Sequence, residues 1–180
     1  MKISAFPIQM SEAEARKLAE KRGNFLGRMM VKTDEINLKL MYLESREIIF
    51  QMSYANAPLP RLLGKKPPQE KGQKIRILVE GTRGMPAYMG EEPKLEEIEL
   101  DDPSQIQKTE FSDEKLIQEA KYLARRMVRR QIGKVASFEV LEMHSLYRPY
   151  YVAFYGPLVN GTKVRYLPIA ADKNEITRTC

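Results

Sequence analysis

Gly72-Gln-Lys-Ile-Arg-Ile-Leu78 and Gly161-Thr-Lys-Val-Arg-Tyr-Leu167 are one pattern, Gly-x-Lys-(Ile/Val)-Arg-(Ile/Tyr)-Leu, written twice at an offset of 89 residues. A pattern that recurs in order marks a supersecondary unit used more than once, which constrains the fold before any single element does. Upstream the chain matches itself again, at an offset of 102: Ile36, Leu38, Met41 and Arg46 fall on Phe138, Val140, Met143 and Arg148, and Ile48, Ile49 and Phe50 fall on Tyr150, Tyr151 and Val152. The same offset carries Ala15, Leu18, Phe25, Leu26 and Met30 onto Ile117, Ala120, Met127, Val128 and Ile132, a spacing of three and four residues that predicts a helix in each copy. The two offsets differ by 13 residues, which places an insertion in the first copy ahead of its Gly-x-Lys segment.

Each predicted helix has a chemical start. Ser11 with Glu14 is a capping box, and Ser112 followed by Asp113 and Glu114 puts a cap and two acids at the positive end of the helix dipole. The helices are expected to run to about Lys32 and about Ile132, where Gly133 can close the second. Alternation and β-branched or aromatic content predict strands at about 35–43, 46–54, 73–80 and 86–89, and again at about 136–143, 148–155, 163–171 and 175–179. The links Leu43-Glu-Ser-Arg46 and His144-Ser-Leu-Tyr147 are near hairpin length, so neighbouring strands are expected to be antiparallel. A helix laid across such a sheet buries both apolar surfaces, which is the α+β solution. The expected organisation is a first unit over 1–90 with an inserted Pro-rich basic loop at 55–73, an acidic linker over 91–111, and a second unit over 112–180.

The layout of helix then antiparallel strands in tandem, ending in Ile169-Ala-Ala-Asp172-Lys-Asn174-Glu-Ile176, resembles the PepSY and cystatin-like group of small domains. The resemblance implies a duplicated cystatin-like α+β fold and a non-catalytic binding or peptidase-modulating role. Asn174 stands where that group usually has a turn glycine, and Asn tolerates the left-handed conformation such a turn needs. PepSY units usually belong to exported or membrane-attached proteins, whereas the N-terminal Met-Lys-Ile-Ser-Ala-Phe-Pro turns polar at Ser11 without an apolar run suited to export or to a membrane span. A cytoplasmic location is the expectation.

Charge is unevenly spread. Residues 1–90 carry 16 Lys and Arg against 9 Asp and Glu, residues 91–114 carry 2 against 10, and residues 115–180 carry 12 against 5, within a net charge of +6. Two basic blocks thus flank an acidic segment. One cysteine, Cys180, excludes an internal disulfide, and one histidine with one cysteine argues against a zinc site built from this chain. The acids from Glu91 to Asp102 lack the glycine-turned ligand loop of a calcium site, and Gly81-Thr-Arg-Gly84 lacks the lysine and helix of a phosphate loop. No cofactor is expected, and no catalytic constellation is legible: His144 has no evident partner and reads as a turn histidine.

Candidate binding residues fall in three places. The inserted loop places Pro58, Leu59, Pro60, Arg61, Leu62 and Leu63 in an extended, basic strip suited to docking on a protein or peptide. Tyr147, Tyr150 and Tyr151 concentrate aromatic area with polar tips, which suits either an interface or a half-buried sheet face. Arg125, Arg126, Arg129 and Arg130 lie opposite the apolar stripe of the second helix and read either as a polyanion-binding ridge or as a solvated face. A binding, scaffolding or assembly module for a protein or peptide partner, with homo-oligomers open, is the first expectation. A nucleic-acid-binding accessory protein is the second, and a small-molecule-binding cystatin-like domain the third.

Overall fold

Ser11 and Glu14 form the box their spacing predicts: the Ser11 N–H donates to Glu14 Oε2 at 2.8 Å and the Glu14 N–H donates to Ser11 Oγ at 3.3 Å. In the computed structural model of the protein, which describes residues 1–27, 36–54, 73–132, 136–156 and 164–173, helix α1 follows at Glu12–Gly27. The second helix, α2, spans Asp113–Ile132; Ser112 Oγ accepts from the Lys115 N–H at 3.4 Å, and Asp113 and Glu114 fill the first turn. The strands are β1 (Lys2–Ala5), β2 (Ile36–Tyr54), β3 (Gln73–Glu80), β4 (Pro86–Met89), β5 (Glu96–Glu99), β6 (Ile106–Gln107), β7 (Ala136–Tyr155) and β8 (Arg165–Ala170). Among the described residues the protein is therefore α+β, with two helices and a mixed sheet of eight strands hydrogen-bonded in the order β4-β3-β2-β7-β1-β5, with β6 beside β2 and β8 beside β7. The expected strand at 175–179, Gly133 and Asn174 lie outside the described residues, as do the side chains of Phe25 and Leu26.

Two expectations change. Leu43–Arg46 and His144–Tyr147 are not hairpin links but the middles of single strands, β2 of 19 residues and β7 of 20. Neither link holds the Gly, Asn, Asp or Pro that a tight turn requires. The alternation of Ile36, Leu38, Leu40 and Tyr42 also continues in step as Ile48, Phe50 and Met52, with Glu44 and Arg46 occupying the same parity between them. A polar pair inside a long strand thus imitates a turn. Secondly, the acidic stretch 91–111 holds paired strands: β5 runs antiparallel to β1 with Ile3 opposite Ile98, and β6 pairs parallel with β2 through Tyr42 and Ile106. Exposed Glu97 and Glu99 flank the inward Ile98, the charged pattern that blunts an edge strand.

Packing also groups the chain differently from the consecutive stretches 1–90 and 112–180. One compact unit contains Met1–Glu44, Lys94–Lys108 and Leu146–Ile176, and the other contains Ser45–Pro93 and Thr109–Ser145. In the first, Ala15 and Ala19 of α1 pack with Ile36, Ala153 and Ile169, while Ile3, Ala5, Tyr42, Leu100 and Tyr147 make a second cluster. In the second, α2 buries Leu116, Ala120, Leu123, Ala124 and Val128 against Ile48, Phe50, Met52, Ile77, Val79 and Phe138, with Met127 half-buried at the margin. Each helix therefore covers strand residues from both halves of the sequence.

The turn from β3 to β4 shows how finely this second unit is set. Gly84 sits at φ 66°, a left-handed conformation that favours glycine, whereas a Cβ there would come into contact with the Phe111 ring at 3.4 Å. The Glu80 carboxylate accepts from the Thr82 and Arg83 N–H groups at 2.9 and 3.1 Å, and from the Thr82 hydroxyl.

Candidate functional site

The apolar stripe of α2 is committed to the core, so its remaining surface is what the second unit offers to solvent. Lys115, Gln118, Tyr122, Arg125 and Arg129 recur at intervals of three and four and are all exposed, forming one face about 21 Å long at the usual helical rise. Arg130 is exposed as well, and Arg126 is half-buried beside them. The carboxylates of α2 are Asp113, Glu114 and Glu119, all in its first half, whereas Lys121, Arg125, Arg126, Arg129 and Arg130 follow with no acid among them. Among the described residues, Arg125, Arg126 and Arg129 make no ion pair.

The helix dipole explains only part of this. Cations near a C-terminus gain roughly 0.3–1 kcal/mol each, but the effect fades beyond the last turn. That accounts for Arg129 and Arg130 and leaves Arg125 and Arg126, which lie further in. Tyr122 is less expected still: it is 63% exposed in the middle of a helix whose other large apolar side chains are mostly buried. Sequence reading singled out the four arginines and passed over Tyr122; counting three back from Arg125 and seven back from Arg129 would have found it.

The tyrosines of β7 are distributed otherwise. Tyr147 is buried in the cluster with Ile3 and Tyr42, so its ring offers no surface to a partner. Tyr150 lies 5.6 Å from the Arg148 guanidinium carbon, and Tyr151 packs against the α1 cluster, where burial and the Glu12 carboxylate push its phenol upward. Tyr155 donates to the Ala19 carbonyl at 2.8 Å. Tyr166 remains exposed beside Phe154. The strip Pro58, Leu59, Pro60, Arg61, Leu62 and Leu63 lies outside the described residues.

Two further polar groupings were not legible in sequence. Arg148 and Asp172, the latter from the Asp-containing turn, form a buried two-point pair, Nε to Oδ2 at 2.8 Å and Nη2 to Oδ1 at 3.0 Å. The adjacent Ala171 N–H donates to Pro149 O at 2.9 Å, and the Gln9 and Met10 N–H groups donate to Ala171 O, so this pair fastens a turn rather than opening a site. In the second unit Glu47 is buried with Arg76 Nε 3.1 Å from its Oε1, a charge contact without hydrogen-bond alignment, and the neighbouring Ser45 hydroxyl is buried with no partner among the described residues. Burial raises the Glu47 carboxyl above its ordinary value, against the opposing pull of Arg76 and His144. His144 Nε2 lies 3.2 Å from Glu142 Oε2 at an exposed position. It therefore sits within a strand and has an acidic neighbour, contrary to the turn histidine expected. Among the described residues no group of three or more His, Cys, Asp or Glu side chains is disposed to hold a metal ion. No helix of the described residues is long and apolar enough to cross a membrane. Comparison with protein-family models, with curated protein sequences and with solved structures finds no match.

Proposed function

We propose that the chain is a binding module that takes a nucleic acid along the exposed face of α2. The observation that carries this reading is the second half of that helix, in which four arginines stand without a carboxylate and Arg125, Arg126 and Arg129 have no ion-pair partner among the described residues. Guanidinium groups held on a rigid helix match phosphate oxygens in charge and in geometry. The net charge of +6 favours encounter with a polyanion in the same sense. A cytoplasmic setting belongs to the same proposal.

Binding of a fluorescently labelled oligonucleotide as a function of salt tests it. Each phosphate contact contributes about 0.7–0.9 to the slope of log affinity against log salt, so replacing Arg125 and Arg129 together by Gln is expected to flatten that slope by roughly 1.4–1.8. No binding, or a double variant with the wild-type slope, removes α2 as the site.

A protein or peptide partner remains the second reading, and one observation favours it. β4 ends the hydrogen-bonded strand order, with Tyr88 exposed on it and Met85 exposed just before it, an edge to which an extended peptide can add as a strand. Pro86 lacks the N–H that such pairing would use, which weakens this edge against the α2 face.

The duplication is likewise proposed. It is supported by the paired Gly-x-Lys-(Ile/Val)-Arg segments, by Ser-capped helices that open at Glu12 and Asp113, and by long strands that open at Ile36 and Ala136.

A further inference from the structure

Tyr122 stands on the α2 face as an exposed aromatic among cations. The residue is 63% exposed and stands on the same face as Arg125 and Arg129, about 4.5 and 10.5 Å further along the helix axis. Lys115 lies about 10.5 Å the other way, its ammonium 4.9 Å from the Phe111 ring centre. An aromatic plane between cations on a rigid helix has two things to offer a nucleic acid, a surface for a base and charges for the phosphates on one side of it. In a duplex the base faces are already covered by their neighbours, so the plane would find no partner and would stand among sugars and phosphates. In a single strand the bases can turn outward and stack on aromatic rings, with little dependence on sequence. We infer that α2 binds single-stranded nucleic acid, with one base stacked on Tyr122 and phosphates on Arg125 and Arg129.

The inference rests on the proposed nucleic-acid reading and can fail separately from it. The chain contains no tryptophan, so a Tyr122→Trp variant carries a single indole at the proposed stack, and its emission reports that position alone. Three probes are titrated: oligo-dT, a duplex of equal length, and heparin. The expected result is tighter binding of oligo-dT than of the duplex, quenching of the indole by oligo-dT and not by heparin, and a fivefold to hundredfold loss of oligo-dT affinity in Tyr122→Ala with an unchanged salt slope. Because Tyr122 is exposed, a melting curve like that of the unmodified chain is expected and verifies that the variant is folded. If Tyr122→Ala binds oligo-dT as the unmodified chain does, or the indole is not quenched, the stack is overturned while the nucleic-acid reading stands on the arginines. If neither oligonucleotide binds, or heparin binds and the oligonucleotides do not, both fall.

Discussion

Arg148 and Asp172 are 2% and 0% exposed, and each is the other's counter-charge. Removing one member of such a pair leaves a charge in a place water does not reach, at a cost of about 3–5 kcal/mol, whereas replacing both by apolar residues of similar size is often close to neutral. Arg148→Met is therefore expected to lower the melting temperature by roughly 6–20 °C, and Arg148→Met combined with Asp172→Leu to restore most of it. A double variant no more stable than the single one would show that the ionic geometry itself is required. Glu47 supplies the pH counterpart. Its carboxyl is raised by burial above the ordinary 4.5, so the folded state holds that proton more tightly than the unfolded chain does. The resulting stability is fully present below that ordinary value and is lost as pH rises through the raised one. Glu47→Gln imitates the protonated form. Thermal melts across this range should show a shallower decline with pH for the variant than for the parent, and parallel curves would remove Glu47 as the cause.

Among the elements, α2 was the most legible and the long strands were the least. Of the apolar positions its spacing predicts, Ala120 and Val128 are buried and Ile117 is half-buried, and the Ser112 cap and the end at Ile132 match. Met127 departs slightly, being half-buried at the cluster's edge where Val128 is fully inside. Leu123→Ala should thus cost about 2–5 kcal/mol and Met127→Ala distinctly less, measured by denaturant unfolding. Equal losses would put Met127 inside the core after all. The polar Glu44 and Arg46 imitate a turn in sequence yet lie inside β2, where Arg46 is held by Asp113 at 3.1 Å and by Ser145. A cross-strand or strand-to-helix ion pair has no local signature, so a charge within a strand cannot be told from a charge in a loop by composition. The same applies to β5, whose acids alternate around Ile98 but resemble a charged connector when its partner β1 is unseen. On the candidate site, the four arginines were visible as a ridge, whereas the exposure of Tyr122 depends on which helix face the sheet covers.

At the scale of the molecule, no continuous stretch of chain builds either unit. Each unit takes a helix with half of one long strand, and the other half of the second long strand, from different parts of the sequence. Separately produced fragments 1–93 and 94–180 each lack partners for their apolar surfaces. Alone they are expected to melt without a cooperative transition, and mixed they are expected to regain one whose midpoint rises with concentration. Cooperative unfolding of either fragment by itself would show that the halves are self-sufficient. The interleaving has a counterpart during synthesis. Translation at about 5–20 residues per second takes roughly 10–40 s for this chain, and an N-terminal domain ordinarily folds while the rest is still being made. Here the first long strand emerges early and waits. The unit around α2 is incomplete until Ser145 has left the ribosome, and the unit around α1 until Asp172 has supplied the partner of Arg148. Until those later residues arrive, the apolar side of the first helix and the first long strand lacks its partners, the kind of transiently exposed surface that is prone to aggregate.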